Sequence, residues 1–375
     1  MTASAIPNAR SPRGPVGNSL TTGQLPRLFE VWALIGALAV SAGILALFMV
    51  GGGVKDFSIV GWLCLSAALY LVGLAVISAV VENRRKATDR IVRGLVTIAF
   101  LLALAPLLST LITVITHGLS TLNWAFITQV GGTVFNPTTL KVTTTVGAWQ
   151  AVVGTLIITG IAALISIPIG MLTAIYLVEY SQAKSWVSRT VTFLVDVMTG
   201  IPSIVAGLFA FSLFTLIVGP KAFSGFSASV ALCVLMIPIV VRSSEEMLKL
   251  VSMDLREASY ALGVSKFSTI VKIVLPTAIA GLITGVMLAI ARVIGETAPI
   301  FMAASFTNNF NANPFNGPMQ TLPVMAYTQY KFPSTDIPAS EANAWAAALL
   351  LVILVVILNL IARVVARVFA PKGAR

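Results

Sequence analysis

Long uncharged runs alternate with short polar clusters along this chain. The run Val31–Val50 carries no ionisable side chain, is too long for a typical signal-peptide core and reads as an uncleaved spanning helix. A bilayer crossing needs about 20 predominantly apolar residues, and further runs of that kind occupy 59–81, 95–115, 150–178, 190–218, 227–241, 277–299 and 345–366. The pattern predicts an all-α polytopic membrane protein with about eight spanning helices. Two runs are uneven. Residues 150–178 suffice to tilt or to extend beyond the bilayer, whereas 227–241 is cut short before Pro238 and Arg242.

Composition agrees with this pattern: 57% of the 375 residues are hydrophobic, 10% are charged and the mean hydropathy is +0.96. A formal charge of +11 raises nucleic acid as a partner, but the basic residues sit in clusters between apolar runs, as topology signals do. Nucleic acid is therefore not expected. With the N-terminus on the cytoplasmic side of a bacterial inner membrane, 19 of the 24 Lys and Arg residues fall on inside segments, which predicts both ends inside. Cys64 and Cys233 lie in apolar runs and suggest neither a disulfide nor a metal site. His117, the sole histidine, is expected in a solvated loop.

The expected organisation has four parts. Residues 1–27, rich in Pro, Gly, Ser and Thr with Arg10, Arg13 and Arg27, form a disordered basic tail. Residues 28–93 hold two additional N-terminal helices and a basic cytoplasmic loop, 94–370 the core, and 371–375 a cytoplasmic tail. Two external loops, 116–148 and 301–344, are long for connectors. The second is rich in Asn and Pro before Leu322-Pro323-Val324. Each either docks an extracytoplasmic partner or merely connects helices.

The polar break Arg242–Lys272 carries the first candidate chemistry. Glu257-Ala258-Ser259-Tyr260-Ala261-Leu262-Gly263 is followed by nine residues and then Ile273-Val274-Leu275-Pro276, which reads as a short helix, a glycine turn and a proline restart. Glu257, Ala258 and Ala261 form a narrow ridge with one carboxylate, a shape that fits a groove on a soluble protein. The segment, ending in Leu275 and Pro276, resembles the EAA loop of ABC importer permeases, with Ser259 replacing the second alanine. That resemblance implies docking on a separate ATPase subunit. The alternative is an interfacial amphipathic helix without a partner. No G-x-x-x-x-G-K-[ST] occurs in the chain, so ATP and Mg are expected on the partner ATPase, with no cofactor on this chain and no enzymatic activity of its own.

Three ionisable residues fall inside apolar runs. Arg292 and Glu296, four residues apart, are expected on one helix face in the outer part of the bilayer, about 24 Å of helix beyond Pro276. A charge at mid-bilayer costs roughly 2.5–3.5 kcal/mol, so the two either line a water-filled path or neutralise each other. Asp196 lies seven residues past Arg189, about 10 Å inward. It is assigned to an inner gate beside a break at Gly200 and Pro202, or else to buried helix packing. Thr199, Ser203 and Thr297 are hydroxyl donors along such a path.

Around these residues the resemblance narrows. Ala291-Arg292-Val293-Ile294-Gly295-Glu296-Thr297-Ala298-Pro299 and Asp196-Val197-Met198-Thr199-Gly200-Ile201-Pro202-Ser203-Ile204-Val205-Ala206-Gly207 are similar to segments of the PstA-type permeases of phosphate-specific ABC importers. With the EAA-like loop and Leu322-Pro323-Val324, the similarity covers about residues 90–370 and leaves the first two helices outside it. It implies a type I ABC importer permease-like core, a second permease subunit of the PstC type, a PstB-type ATPase dimer and a PstS-type extracytoplasmic phosphate-binding protein. The chemistry fits: Arg292 offers a permanently charged donor fork for a tetrahedral oxyanion. Glu296 can accept a hydrogen bond from protonated phosphate, which sulfate cannot donate, and its charge weakens retention of the anion. Rival readings are a permease for another oxyanion or an organic substrate, an ion-driven secondary transporter, and an intramembrane enzyme. The last lacks a recognisable metal or nucleophile set.

Overall fold

A computed structural model describes residues 25, 28–50, 58–81, 84–136, 141–181, 185–220, 222–334 and 336–369. The tail expected over 1–27 lies outside them apart from Leu25, as do Lys55, Lys221 and the C-terminal tail. The chain divides into two compact units, Met1–Thr110 and Leu111–Arg375.

In the first unit, α1 (Phe29–Val50) and α2 (Ile59–Val81) pair side by side. Neither has a face that is markedly more polar than the rest, as expected where lipid surrounds a helix. Their contact is made by small polar groups: Ser41 Oγ and Ser66 Oγ lie 2.6 Å apart, and Trp62 Nε1 donates to Leu38 O at 3.0 Å. α3 (Arg84–Gly118) crosses the boundary between the units. Its first turns carry the basic cluster that was expected in a loop, and Arg90 and Arg93 lie 3.8 and 3.7 Å from Glu30. His117 sits on the last turn of this helix rather than in a loop, its ring centroid 5.6 Å from that of Trp345.

After the last turns of α3, the second unit departs from the long-helix pattern. A short helix α4 (Trp124–Thr128) leads into an antiparallel hairpin, β1 (Val130–Asn136) with β2 (Lys141–Ala148), so the long first loop is folded. Buried Gln150 holds the base of the hairpin by accepting from Gly131 N at 3.0 Å. α5 (Trp149–Ile175) follows and ends in a π turn, Tyr176–Tyr180. Next come α6 (Trp186–Thr199) and α7 (Ser203–Val218), bent by 106° at the short break between them. The run 190–218 is therefore not one straight helix, because Pro202 cannot continue the ladder of α6. α8 (Gly225–Lys249) runs on through Pro238 and Arg242, longer than the run 227–241 suggested. Arg242 stays within the helix because Asp196 and Glu245 supply its counter-charges.

Beyond α8 lie α9 (Met253–Ala261), α10 (Lys266–Thr269), a second π turn Ile270–Val274, and α11 (Leu275–Val293). α12 (Ala298–Ala304), α13 (Leu322–Lys331) and α14 (Ile337–Phe369) complete the chain, so much of the second long loop is helical as well. Among the described residues seven helices are long and apolar enough to cross a membrane, or eight if the bent pair counts as one span.

The core forms where α5 and α8 pack along their lengths. Small residues allow the close approach: Ser229 Oγ donates to Ile158 O at 3.1 Å, Cys233 Sγ reaches Ala162 O at 3.7 Å, and Gly170 fits against Val240. α7, α11 and α12 close over this pair, with Ala210, Ala289, Val293, Ile300 and Ala303 in one apolar cluster. At the other side of α5, a Cβ on Gly154 would collide with the backbone carbonyl of Gln320. Gly154→Ala should therefore lower stability by about 1–3 kcal/mol, whereas Gly160→Ala, with nothing within 4 Å, should not. Heat-stability profiles of the two purified variants in detergent check this.

Candidate functional site

Two interruptions of the helical course lie in the second unit. At the first, α6 ends at Thr199 and α7 starts at Ser203, with Gly200 N and Ile201 N bonded back to Val197 O and Met198 O. At the second, α11 stops at Val293, and Ile294–Thr297 turn the chain before α12. Gly207, one turn into α7, lets α7 pack directly on the start of α12. A Cβ there would lie 2.7 Å from Pro299 Cα, so only glycine permits this approach.

The second break corrects the expected geometry of Arg292 and Glu296. They do not share a helix face. Arg292 occupies the last turn of α11 and is exposed, whereas Glu296 lies in the break with its N–H bonded to Val293 O at 3.1 Å. Among the described residues no ion pair joins them, and neither has another charged partner. Mutual neutralisation is thus not what the structure displays. Gly295 is the physical reason: with Pro299 close behind, the helix gives way before it reaches Glu296.

Asp196 makes an ion pair with Arg242, which also donates to Glu245 Oε2 at 2.9 Å; Glu245 in turn accepts from Lys249 Nζ at 2.7 Å. This chain of charges ties the end of α6 to α8 just before the first break. Thr199 Oγ1 donates to Asp196 O at 2.6 Å, which commits its proton within its own helix. Ser203 and Thr297 are half-buried at the two helix starts. Within the described residues no group of three or more His, Cys, Asp or Glu side chains could hold a metal ion.

The EAA-like loop forms a separate site. Residues 254, 257, 258 and 261 share one face of α9 at helical spacing, and Asp254, Glu257, Ala258 and Ala261 are all exposed. The opposite face is anchored. Ser259 Oγ lies 2.8 Å from Thr269 Oγ1, and the Arg256 guanidinium is buried against Glu179 at 2.9 Å. Gly263 has φ +75°, a left-handed conformation that ends the helix, and Val264 N closes the turn on Ser259 O at 3.2 Å. Leu275 packs on a cluster of Ala174, Leu248, Val251, Val274, Ala278 and Leu282, while Pro276 is exposed in the first turn of α11.

Sequence reasoning missed Arg256 and Glu179. Both are buried. The available signal was position: Arg256 directly precedes the motif glutamate, and Glu179 directly follows an apolar run.

Residues 166–374 match the family described as binding-protein-dependent transport system inner membrane component. Phosphate transport system permease protein PstA 1 of Mycobacterium tuberculosis (strain CDC 1551 / Oshkosh) is 47% identical over 207 residues, 55% of this chain and 66% of that protein. Phosphate transport system permease protein PstA of Haemophilus influenzae (strain ATCC 51907 / DSM 11121 / KW20 / Rd) is 37% identical over 269 residues, 72% of this chain and 90% of that protein. Among solved structures, a chain of the MetNI methionine ABC transporter in inward facing conformations aligns with 60% of this chain and 95% of its own length, at 24% identity and a TM-score of 0.46. Alignment with the two Mycobacterium tuberculosis relatives spans 66% and 65% of their lengths, just under two thirds.

The helical fold, the family match and the curated relatives define the class, a multi-pass transport permease. The chain belongs to the binding-protein-dependent transport system inner membrane components and, within them, to the PstA-type permeases. Gly263→Val should strain the turn by roughly 1–2 kcal/mol and speed hydrogen exchange at the Val264 amide while leaving exchange in α8 unchanged, as amide-resolved exchange on the purified chain will report.

Proposed function

We propose that this chain is the permease subunit of an ATP-driven importer of inorganic phosphate, with both termini cytoplasmic. The observation that carries the reading is the second break, where Arg292 and Glu296 stand without charged partners beside a helix start. Unpaired charges at membrane depth are expensive, and a path for an anion is a physical reason to keep them. Relatives bearing the phosphate transport name at 37–47% identity support phosphate as that anion.

Arg292 supplies the donor fork, and Glu296 accepts a hydrogen bond from the P–OH of protonated phosphate, a donor that sulfate lacks. Glu296 also keeps the local field from binding the anion too tightly to release it. Because Arg292 is exposed on the isolated chain, a second permease subunit of the PstC type would complete the path. Ser203 and Thr297 would contribute hydroxyls, and Asp196, held by Arg242, would sit at the inner gate. On the cytoplasmic side the face of Glu257, Ala258 and Ala261 would dock on a PstB-type ATPase dimer that binds ATP and Mg, and a PstS-type protein would deliver phosphate from outside. Closure of the ATPases would displace α9 and alternate access at the breaks.

Labelled phosphate and sulfate uptake at limiting concentration, in cells lacking the chain and in cells with it restored, tests the cargo. Phosphate uptake should disappear and return with the chain; unaffected uptake in cells without a redundant carrier refutes the assignment. Within the restored system Arg292→Gln should abolish phosphate uptake with the subunit still present in the membrane. Glu296→Gln should reduce uptake and the preference for phosphate over sulfate by about tenfold, and a variant unchanged in both refutes the proposed role. For the coupling face, Glu257→Lys should prevent co-purification of the ATPase while the chain still inserts.

A further inference from the structure

The charges at the breaks are open, but the two beneath the coupling helix are sealed. Arg256 and Glu179 keep only 8% and 5% of their side-chain surface exposed. Arg256 Nη2 and Nε both donate to Glu179 Oε1, at 2.9 and 3.2 Å; Nη2 also reaches Leu248 O at 2.9 Å, and Nη1 reaches Val251 O at 2.7 Å and Met253 Sδ at 3.3 Å. One guanidinium therefore joins α9 to the π turn after α5 and to the end of α8. A second link reaches the same turn, with Lys266 Nζ 5.0 Å from the centroid of the Tyr180 ring.

Net stability is a poor reason for such a pair, because apolar residues of similar volume do as well or better. A planar fork does provide fixed orientation, since several donors in one rigid plane leave little freedom to the groups they bind. The geometry of α9 indicates what is being oriented. Its outer face carries the docking ridge, and its inner face is bonded to the two helices that pack along each other through the core.

We propose that Arg256 and Glu179 are positioning residues that make the coupling helix and the adjoining end of α5 one rigid body, so that displacement of α9 by the ATPase is delivered to α5. This rests on the ATP-driven reading above. The π turn fits the role: it places Glu179 beneath α9 where the α-helical course of α5 has ended.

The test uses the complete permease–ATPase complex in lipid nanodiscs and liposomes, with Cys64→Ala and Cys233→Ala removing native thiols. Spin labels are attached at Leu255→Cys on α9 and Leu172→Cys on α5, positions 44% and 67% exposed. In the parent complex the distance between labels should be the same with and without ATP. In Glu179→Met/Arg256→Met, which removes both charges and strands neither, the distance should change with ATP, and phosphate moved per ATP should fall by about tenfold while the ATPase still co-purifies. Should that chain fail to assemble, Arg256→Lys, which keeps the charge and loses the fork, carries the same readouts. A parent distance that shifts with ATP overturns the proposal, as does a variant that assembles and keeps both the parent distance and the parent stoichiometry. Failure of the ATPase to co-purify with the parent chain overturns the coupling reading and this proposal together, which separates the two kinds of failure.

Discussion

A chain that leaves its helix inside an apolar slab must find partners for the amide and carbonyl groups it frees, and this one does so twice. At Gly200–Pro202 and at Ile294–Thr297 the freed groups are partly absorbed by tight local bonds, such as Gly200 N to Val197 O and Glu296 N to Val293 O. The remaining support is tertiary. α8 packs against α5, α6, α7, α11 and α12 and so backs both breaks at once, and Gly207 lets α7 close on Pro299. Without that backing, neither interruption would persist in an apolar surrounding.

The same physics explains why charges are treated differently at different places in the second unit. At the second break, Arg292 and Glu296 remain unpaired with each other, as the proposed anion path would require. Asp196 and Arg242 mark an intermediate case, paired but partly exposed. Under α9, Arg256 and Glu179 are paired and buried, and every nitrogen of the Arg256 guanidinium is hydrogen-bonded. An open charge is available to a ligand. A saturated one is available only to transmit position.

Ser259 illustrates how a departure from a motif can be neutral in shape and still have a structural use. At the place where the resembled motif has alanine, its hydroxyl bonds Thr269 in a buried contact, so the inner face of α9 is fixed by two polar links while the outer face stays narrow. The exposed Asp254, Glu257, Ala258 and Ala261 then owe their orientation to residues they never touch.

How much of this was legible in the sequence follows from which interactions are local. Span number, the short helix of the EAA-like loop and its glycine turn were readable, because apolar run length, a left-handed glycine and a proline restart act through nearest neighbours. The break after Asp196 was signalled by Gly200 and Pro202, although its 106° bend was not. The shared helix face of Arg292 and Glu296 was misread, since spacing of four implies one face only while the helix continues, and Gly295 ends it first. Pro238 and Arg242 likewise failed to end α8, and for Arg242 the counter-charge comes from Asp196, 46 residues away. Glu179 and Arg256, 77 residues apart, carry no mark of one another in the sequence. Whether an isolated charge is solvated, open to a ligand or sealed in an ion pair depends on contacts between distant segments, and only the folded chain decides it.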